Sequence, residues 1–249
     1  MRQRTEQVSP LPVAPVVRPL LLMRWQALTY LHWALDPALV AARLPAGLVP
    51  DESGGRAYVG LVPFEMAGIR LGPGRLPLPQ GRFPETNVRT YVIGPDGGRG
   101  VYFHSLDITR LAPVVVARLG YQLPYTFSQM RLARRGDRLA YRATRRWPAP
   151  RGASSHVIVE VQQPLGPDDT TELDHFLSAR WSLYTALPGG AIWRARVDHA
   201  PWKLHAARVR HLDDELVAAA GYPTGLGEPD HVRVADAVTV RVGAPRRVG

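Results

Sequence analysis

FPETNVRTYV, residues 83–92, is the stretch on which the reading of this chain turns. On a strand, successive side chains point to opposite faces, so Glu85, Asn87, Arg89 and Tyr91 share one side and Val88, Thr90 and Val92 the other. A carboxylate, an amide and a guanidinium in one row allow two readings. One is a solvated sheet face with cross-strand polar pairs. The other is the floor of a pocket in which Glu85 acts as acid or base and Arg89 holds a carboxylate. The turn GPDGGRG (94–100) sends the chain back through Val101–Leu106, a hairpin signal. There Phe103, Ser105 and Asp107 have one parity and Tyr102, His104 and Leu106 the other. Register decides which joins the Glu85 face, and a one-residue slip reverses the answer.

Upstream, WQALTYLHW (25–33) has strand composition, and RAYVGLVPFEMAGIRL (56–71) reads as a long strand or bent pair. Asp36 is placed to cap a helix over DPALVAARL, with Pro37 at its first position. A Pro/Gly loop covers 72–81. Downstream, 109–119 reads as a short apolar helical piece. Strands follow at 125–133, 138–146 and through Val157, Val159 and Val161. Asp168, Asp169, Thr170 or Thr171 can cap a helix through Leu177. AIWRARV and 203–212 are extended, a short helix covers 213–220, and Val232, Val234, Val238, Val240 and Val242 keep one parity. Roughly ten strands and a few short helices, with no regular strand–helix repeat, predict an α+β domain on a large, curved, mostly antiparallel sheet. The single domain spans 21–243, behind a Pro-rich, flexible arm over 1–20.

The formal net charge of +10 invites a nucleic-acid reading, which the residues oppose. Lys203 is the only lysine, the arginines are scattered, and no nucleic-acid-binding motif accompanies them. No nucleic-acid partner is expected. The chain has no cysteine, which excludes disulfides, thiol catalysis and cysteine-ligated metals. His199, His205 and His211 recur every six residues, about 20 Å apart on a straight strand and too far to share an ion. Neither a GxSxG elbow nor a GxGxxG cradle is present, so no metal or cofactor is expected. The apolar run 11–23 is broken by prolines and Arg18, which argues against a membrane span and for a cytoplasmic protein. The edges of a large sheet leave room for a homodimer.

Several motifs taken in order, LHWALDPALVAARLPAGL, GRAYVGLVPFEM, FPETNVRTYV, GVYFHSLD, LPYTF, RWSLY and VDHAPWKLHAA, resemble the uncharacterised YqjF-like family. That family is similar in fold to the acetoacetate decarboxylase superfamily. The resemblance spans about residues 20–242 and implies a barrel-like antiparallel sheet system around a cavity, with short helices outside. In acetoacetate decarboxylases a lysine after a proline forms the Schiff base. Here LPYTF resembles that stretch and carries Tyr125 after Pro124, while Lys203 lies in PWKL elsewhere. Glu85 resembles a pocket glutamate, and Asn87 and Arg89 travel with it. The resemblance implies a pocket for a small organic acid or polar metabolite, with Glu85 as the catalytic candidate and Asn87, Arg89, Tyr91, Ser105 and Tyr125 as ligand contacts. Two functions follow from it. One is a lyase- or hydratase-type enzyme using Glu85 as acid/base without a Schiff-base lysine. The other is a non-catalytic ligand-binding or accessory protein on the same scaffold.

Overall fold

Strand Phe83–Ile93 is hydrogen-bonded on both sides and buried along almost its whole length. The computed structural model of the chain describes residues 5–72, 76–77, 81–110 and 123–249. The helical piece expected over 109–119 falls, from 111 on, outside the described residues, as does most of the Pro/Gly loop.

In chain order the first strands are β1 (Leu21–Gln26), β2 (Leu28–Leu35), β3 (Val49–Pro50), β4 (Ala57–Leu71), β5 (Leu76–Pro77), β6 (Phe83–Ile93), β7 (Arg99–Ile108) and β8 (Tyr125–Arg135). They are followed by β9 (Arg138–Trp147), β10 (Ser154–Pro164), β11 (Ser182–Ala186), β12 (Ile192–Asp198), β13 (Leu204–Asp214), β14 (His231–Ala235), β15 (Val238–Val242) and β16 (Arg246–Arg247). The helices are α1 (Pro37–Ala41), α2 (Glu172–Ser178) and α3 (Leu216–Ala219).

Local chemistry explains the helix starts. The Asp36 side chain accepts from the Ala38 amide at 2.8 Å, and Pro37 supplies a preset φ at a position whose N–H is not needed. At α2, Thr171 and Asp174 form a reciprocal capping box.

All sixteen described strands belong to one sheet. The barrel-like enclosure is corrected: this sheet is mixed and branched, not a barrel. In a barrel each strand has two neighbours. Here β4 pairs with β1, β2, β5 and β6, and β7 pairs with β6, β8 and β11. Length allows this. The fifteen residues of β4 give Ala57–Leu61 to β2 and Glu65–Leu71 to β1. A break at Ala27, the one described non-glycine residue with positive φ, separates β1 from β2. The expected antiparallel majority is present, and the exceptions are the parallel pairs β7–β8 and β7–β11.

Period two sorts the apolar residues of β4 and β6 into two cores. Tyr58, Val62, Phe64, Met66, Phe83 and Tyr91 belong to one, which includes the pocket wall. Ala57, Val59, Leu61 and Val88 belong to the other, packed with Leu139, Tyr141, Val157 and Val159 from β9 and β10. With both faces covered, β6 has no solvated side on which to place its polar row.

Candidate functional site

The polar row of β6 opens into a cavity of about 320 Å³. Glu85, Asn87 and Arg89 line it at 2%, 4% and 6% exposure. Across β7 they stand opposite Ile108, Leu106 and Phe103, which line it as well. The facing walls bring Leu21, Met23 and Trp25 from β1, Val197 from β12 and Val242 from β15.

A bulge in β7 sets what else faces the cavity. Val88 pairs with Ser105, but Arg89 pairs with Phe103, so His104 is an extra residue. Its ring is bonded to the Tyr222 hydroxyl at 2.8 Å. Parity therefore changes within the strand. Val101 and Phe103 face the cavity on one side of the bulge, Leu106 and Ile108 on the other. Ser105 and Asp107 turn to the opposite face. There Arg145 donates to Ser105 Oγ at 3.0 Å and grips Asp107 through two nitrogens, at 3.0 and 2.7 Å. Ser128 also donates to Asp107. Ser105 is thus apart from the Glu85 row, whereas Tyr125, beside Leu106 at the start of β8, lines the cavity.

Glu85 sits in a dry position. Burial, with a smaller push from the Asp107 carboxylate, raises its pKa to about 8. The group is a carboxylic acid at neutral pH and can donate a proton. Its Oε2 has no hydrogen-bond partner among the described residues, nor does Asn87 Oδ1.

Arg89 is held from behind. Its Nη2 donates to the Tyr91 hydroxyl at 3.0 Å and to the Leu177 carbonyl at 3.1 Å. Tyr91, fully buried, lies behind the lining rather than in it. Its hydroxyl donates to the Leu177 carbonyl at 2.8 Å and lies 2.6 Å from His32 Nε2. His32 Nδ1 meets His231 Nδ1 at 3.2 Å, and His231 Nε2 meets Asp174 at 2.8 Å. This buried chain runs from the cap of α2 to the arginine of the cavity. Burial, with His231 and Arg89 nearby, lowers His32 well below the ordinary imidazole range, so the ring is neutral with one N–H. Burial would raise Asp174, but hydrogen bonds from His231 and Thr171 outweigh it and hold the carboxylate ionised.

Two lining residues escape a reading by strand parity. Arg180 follows α2, where its Nε donates to the Phe176 carbonyl at 2.6 Å and its Nη1 pairs with Asp51. The guanidinium lies 4.2 Å from the Phe176 ring centre and 4.9 Å from that of Tyr91. Its Nη2 has no partner among the described residues. His199 donates from Nδ1 to the Ala200 carbonyl at 2.7 Å, with Trp181 and Trp202 against its ring. Burial lowers its pKa, against the pull of that carbonyl bond. In the sequence the one signal was RWSLY and VDHAPWKL as motifs, with no spacing to the Glu85 row. Lys203 is exposed and outside the lining. Among the described residues no cluster of histidine or acidic side chains is placed to hold a metal. None of their helices is long and apolar enough to cross a membrane.

An apolar cavity with a few convergent polar groups, on an α+β scaffold with a large mixed sheet, defines a pocket-type protein of the acetoacetate-decarboxylase-like fold. The chain belongs to the family of uncharacterized conserved proteins DUF2071, whose model matches residues 22–239. It is 31% identical over 210 residues to the uncharacterized protein YqjF of Bacillus subtilis (strain 168), covering 82% of this chain and 83% of YqjF. Among solved structures it is similar to the enduracididine biosynthesis enzyme MppR complexed with the condensation product of pyruvate and imidazole 4-carboxaldehyde. That match has a TM-score of 0.62 at 14% identity and covers 92% of this chain and 89% of MppR. It is also similar to acetoacetate decarboxylase from Legionella pneumophila, with a TM-score of 0.60 at 13% identity, covering 97% and 92% of the two chains. These structural likenesses concern the fold.

Proposed function

We propose that the cavity binds a small organic acid and that Glu85 serves there as general acid/base for a lyase- or hydratase-type reaction. One observation carries this reading. Glu85 Oε2, Asn87 Oδ1 and Arg180 Nη2 are buried around one cavity with no partner among the described residues. Unpaired buried polar atoms each cost about 1–3 kcal/mol, and a ligand that pairs them recovers that cost. Glu85 and Asn87 can meet an oxygen function of the ligand, while Arg89 and Arg180 make the basic end. A carboxyl group with a pKa of about 8 can both give and take a proton near neutrality. Complexes of MppR with pyruvate and with a condensation product are consistent with organic-acid binding on this scaffold. Imine chemistry is not part of the proposal, because the one amine side chain, Lys203, is outside the lining. That same lack of an amine nucleophile favours, as the second reading, a ligand-binding or accessory protein without turnover.

Incubation with a metabolite pool followed by mass spectrometry separates the two. Loss of a compound with wild type but not with Glu85→Gln supports catalysis. Retention without turnover supports binding alone, and a borohydride-trapped adduct on Lys203 would overturn the exclusion of imine chemistry.

A further inference from the structure

We infer that the ligand is an amphipathic monoanion: one anionic head seated on Arg180, and an apolar body extending along the cavity in the direction of Glu85 and Phe83. The inference deepens the proposed function and rests on the reading of this cavity as a ligand site.

Charge is unbalanced at the Arg89 end. Asp51 pairs with both Arg180 and Arg99, so one carboxylate serves two guanidiniums. Arg89 has no ion pair with a described carboxylate; its Nε and Nη2 go to the neutral Tyr91 hydroxyl and Leu177 carbonyl. Buried charge without an opposite partner is costly, and one bound anion offsets it. Arg180 rather than Arg89 is the seat because its Nη2 is the guanidinium nitrogen left without a partner. Its other contacts fix the plane: Nε to Phe176, Nη1 to Asp51, and a face on the Phe176 ring. Ser178 and Ser182 line the same cavity from either side of Arg180 in the chain.

The opposite direction is apolar. Along β6 the lining changes from Arg89 through Asn87 and Glu85 to Phe83, about 20 Å of strand at roughly 3.3 Å per residue. Phe83 is level with Met66 of β4, and Ile69, Leu71 and Leu21 continue the wall. A second charge on the ligand would be forced against these side chains or beside Glu85. The volume of about 320 Å³ holds roughly ten non-hydrogen atoms if each takes about the share of a liquid water, ~30 Å³. Such a ligand is larger and more apolar than pyruvate.

Three probes of equal heavy-atom count test this on the full chain by titration calorimetry: octanoate, octanamide and adipate. Octanoate is expected to bind about tenfold or more tighter than octanamide, the worth of one charge-assisted hydrogen bond, and adipate more weakly than either. Arg180→Gln, checked for native circular dichroism, is expected to abolish the octanoate preference, and Arg180→Lys to restore part of it. Equal binding of octanoate and octanamide, or tightest binding of adipate, overturns the monoanion while leaving a ligand site in place. Persistence of the preference in Arg180→Gln overturns the seat. Binding of none of the three by wild type overturns the site reading itself. The wild-type comparison holds whether or not the variants fold.

Discussion

Glu85 keeps its proton chiefly because burial penalises its charged form, with a smaller push from the Asp107 carboxylate one layer behind. This has a measurable consequence for stability. An unfolded glutamate titrates near 4.5, and folded Glu85 near 8. Between those values the folded chain holds a proton that the unfolded chain has lost, so stability falls as pH rises. The contribution is complete below about 4.5 and is gone once pH has passed about 8. Glu85→Gln removes this dependence. Its melting temperature is expected to gain steadily on that of wild type from about pH 5 to about pH 8, and then to run parallel. A gap that stays constant across this window would mean that Glu85 is ionised in the folded chain. Parity made Glu85, Asn87 and Arg89 legible as a row, because on a strand facing is a matter of counting. Arg180 and His199 were not legible in that way. Each lies outside the regular strands, at the end of α2 and just past β12, and reaches the cavity through hydrogen bonds to local carbonyls.

At the scale of elements, strands were legible from alternation and helices from their caps, but neither signal names a strand's neighbours. Alternation is the same in a barrel and in a branched sheet, and it was the pairing of β4 and β7 with more than two strands each that decided between them. The last valine run shows the same limit. Its common parity suggested one strand, whereas the chain makes two, β14 on β2 and β15 on β1, divided at Asp236–Ala237. Close packing between β2 and β4 gives a direct test of the buried chain behind Arg89. Gly60 lies opposite His32, and a Cβ there would stand 2.7 Å from His32 Cδ2 and 2.8 Å from Nε2. The ring is pinned between Tyr91 and His231 and cannot swing aside without breaking a buried hydrogen bond. Gly60→Ala is therefore expected to cost about 1–3 kcal/mol, read as a lower urea midpoint with unchanged slope. A midpoint equal to that of wild type would show that the imidazole can be displaced freely.

On the scale of the whole molecule, the N-terminal segment makes specific contacts with the body. Glu6 takes two hydrogen bonds from Arg194, at 2.8 and 3.0 Å, and one from the Arg99 amide at 3.0 Å. Trp181 donates to the Ser9 carbonyl, and the Val16 amide donates to Asp198. Glu6 is partly exposed and Arg194 keeps Asp96 as a second partner, so the loss should be modest. Glu6→Gln is expected to loosen the segment by about 1 kcal/mol or less, and so to speed elastase cleavage after the exposed Val13 up to ~fivefold. Identical cleavage rates would place the hold on the segment elsewhere. The residue inserted at His104 has a wider reach. Because β7 takes up this extra position as a bulge and not as a step of the alternation, Ser105 and Asp107 stay with Arg145 and the cavity is left to Leu106 and Ile108. Flattening the bulge with His104 kept in step would turn Asp107 through to the Glu85 face and put a second carboxyl in the dry chamber, whereas deleting His104 would leave these facings as they are. In a lineage built on this sheet, losing the bulge can change the kind of molecule admitted while every residue is kept, and the register of β7 then carries as much chemical information as its letters.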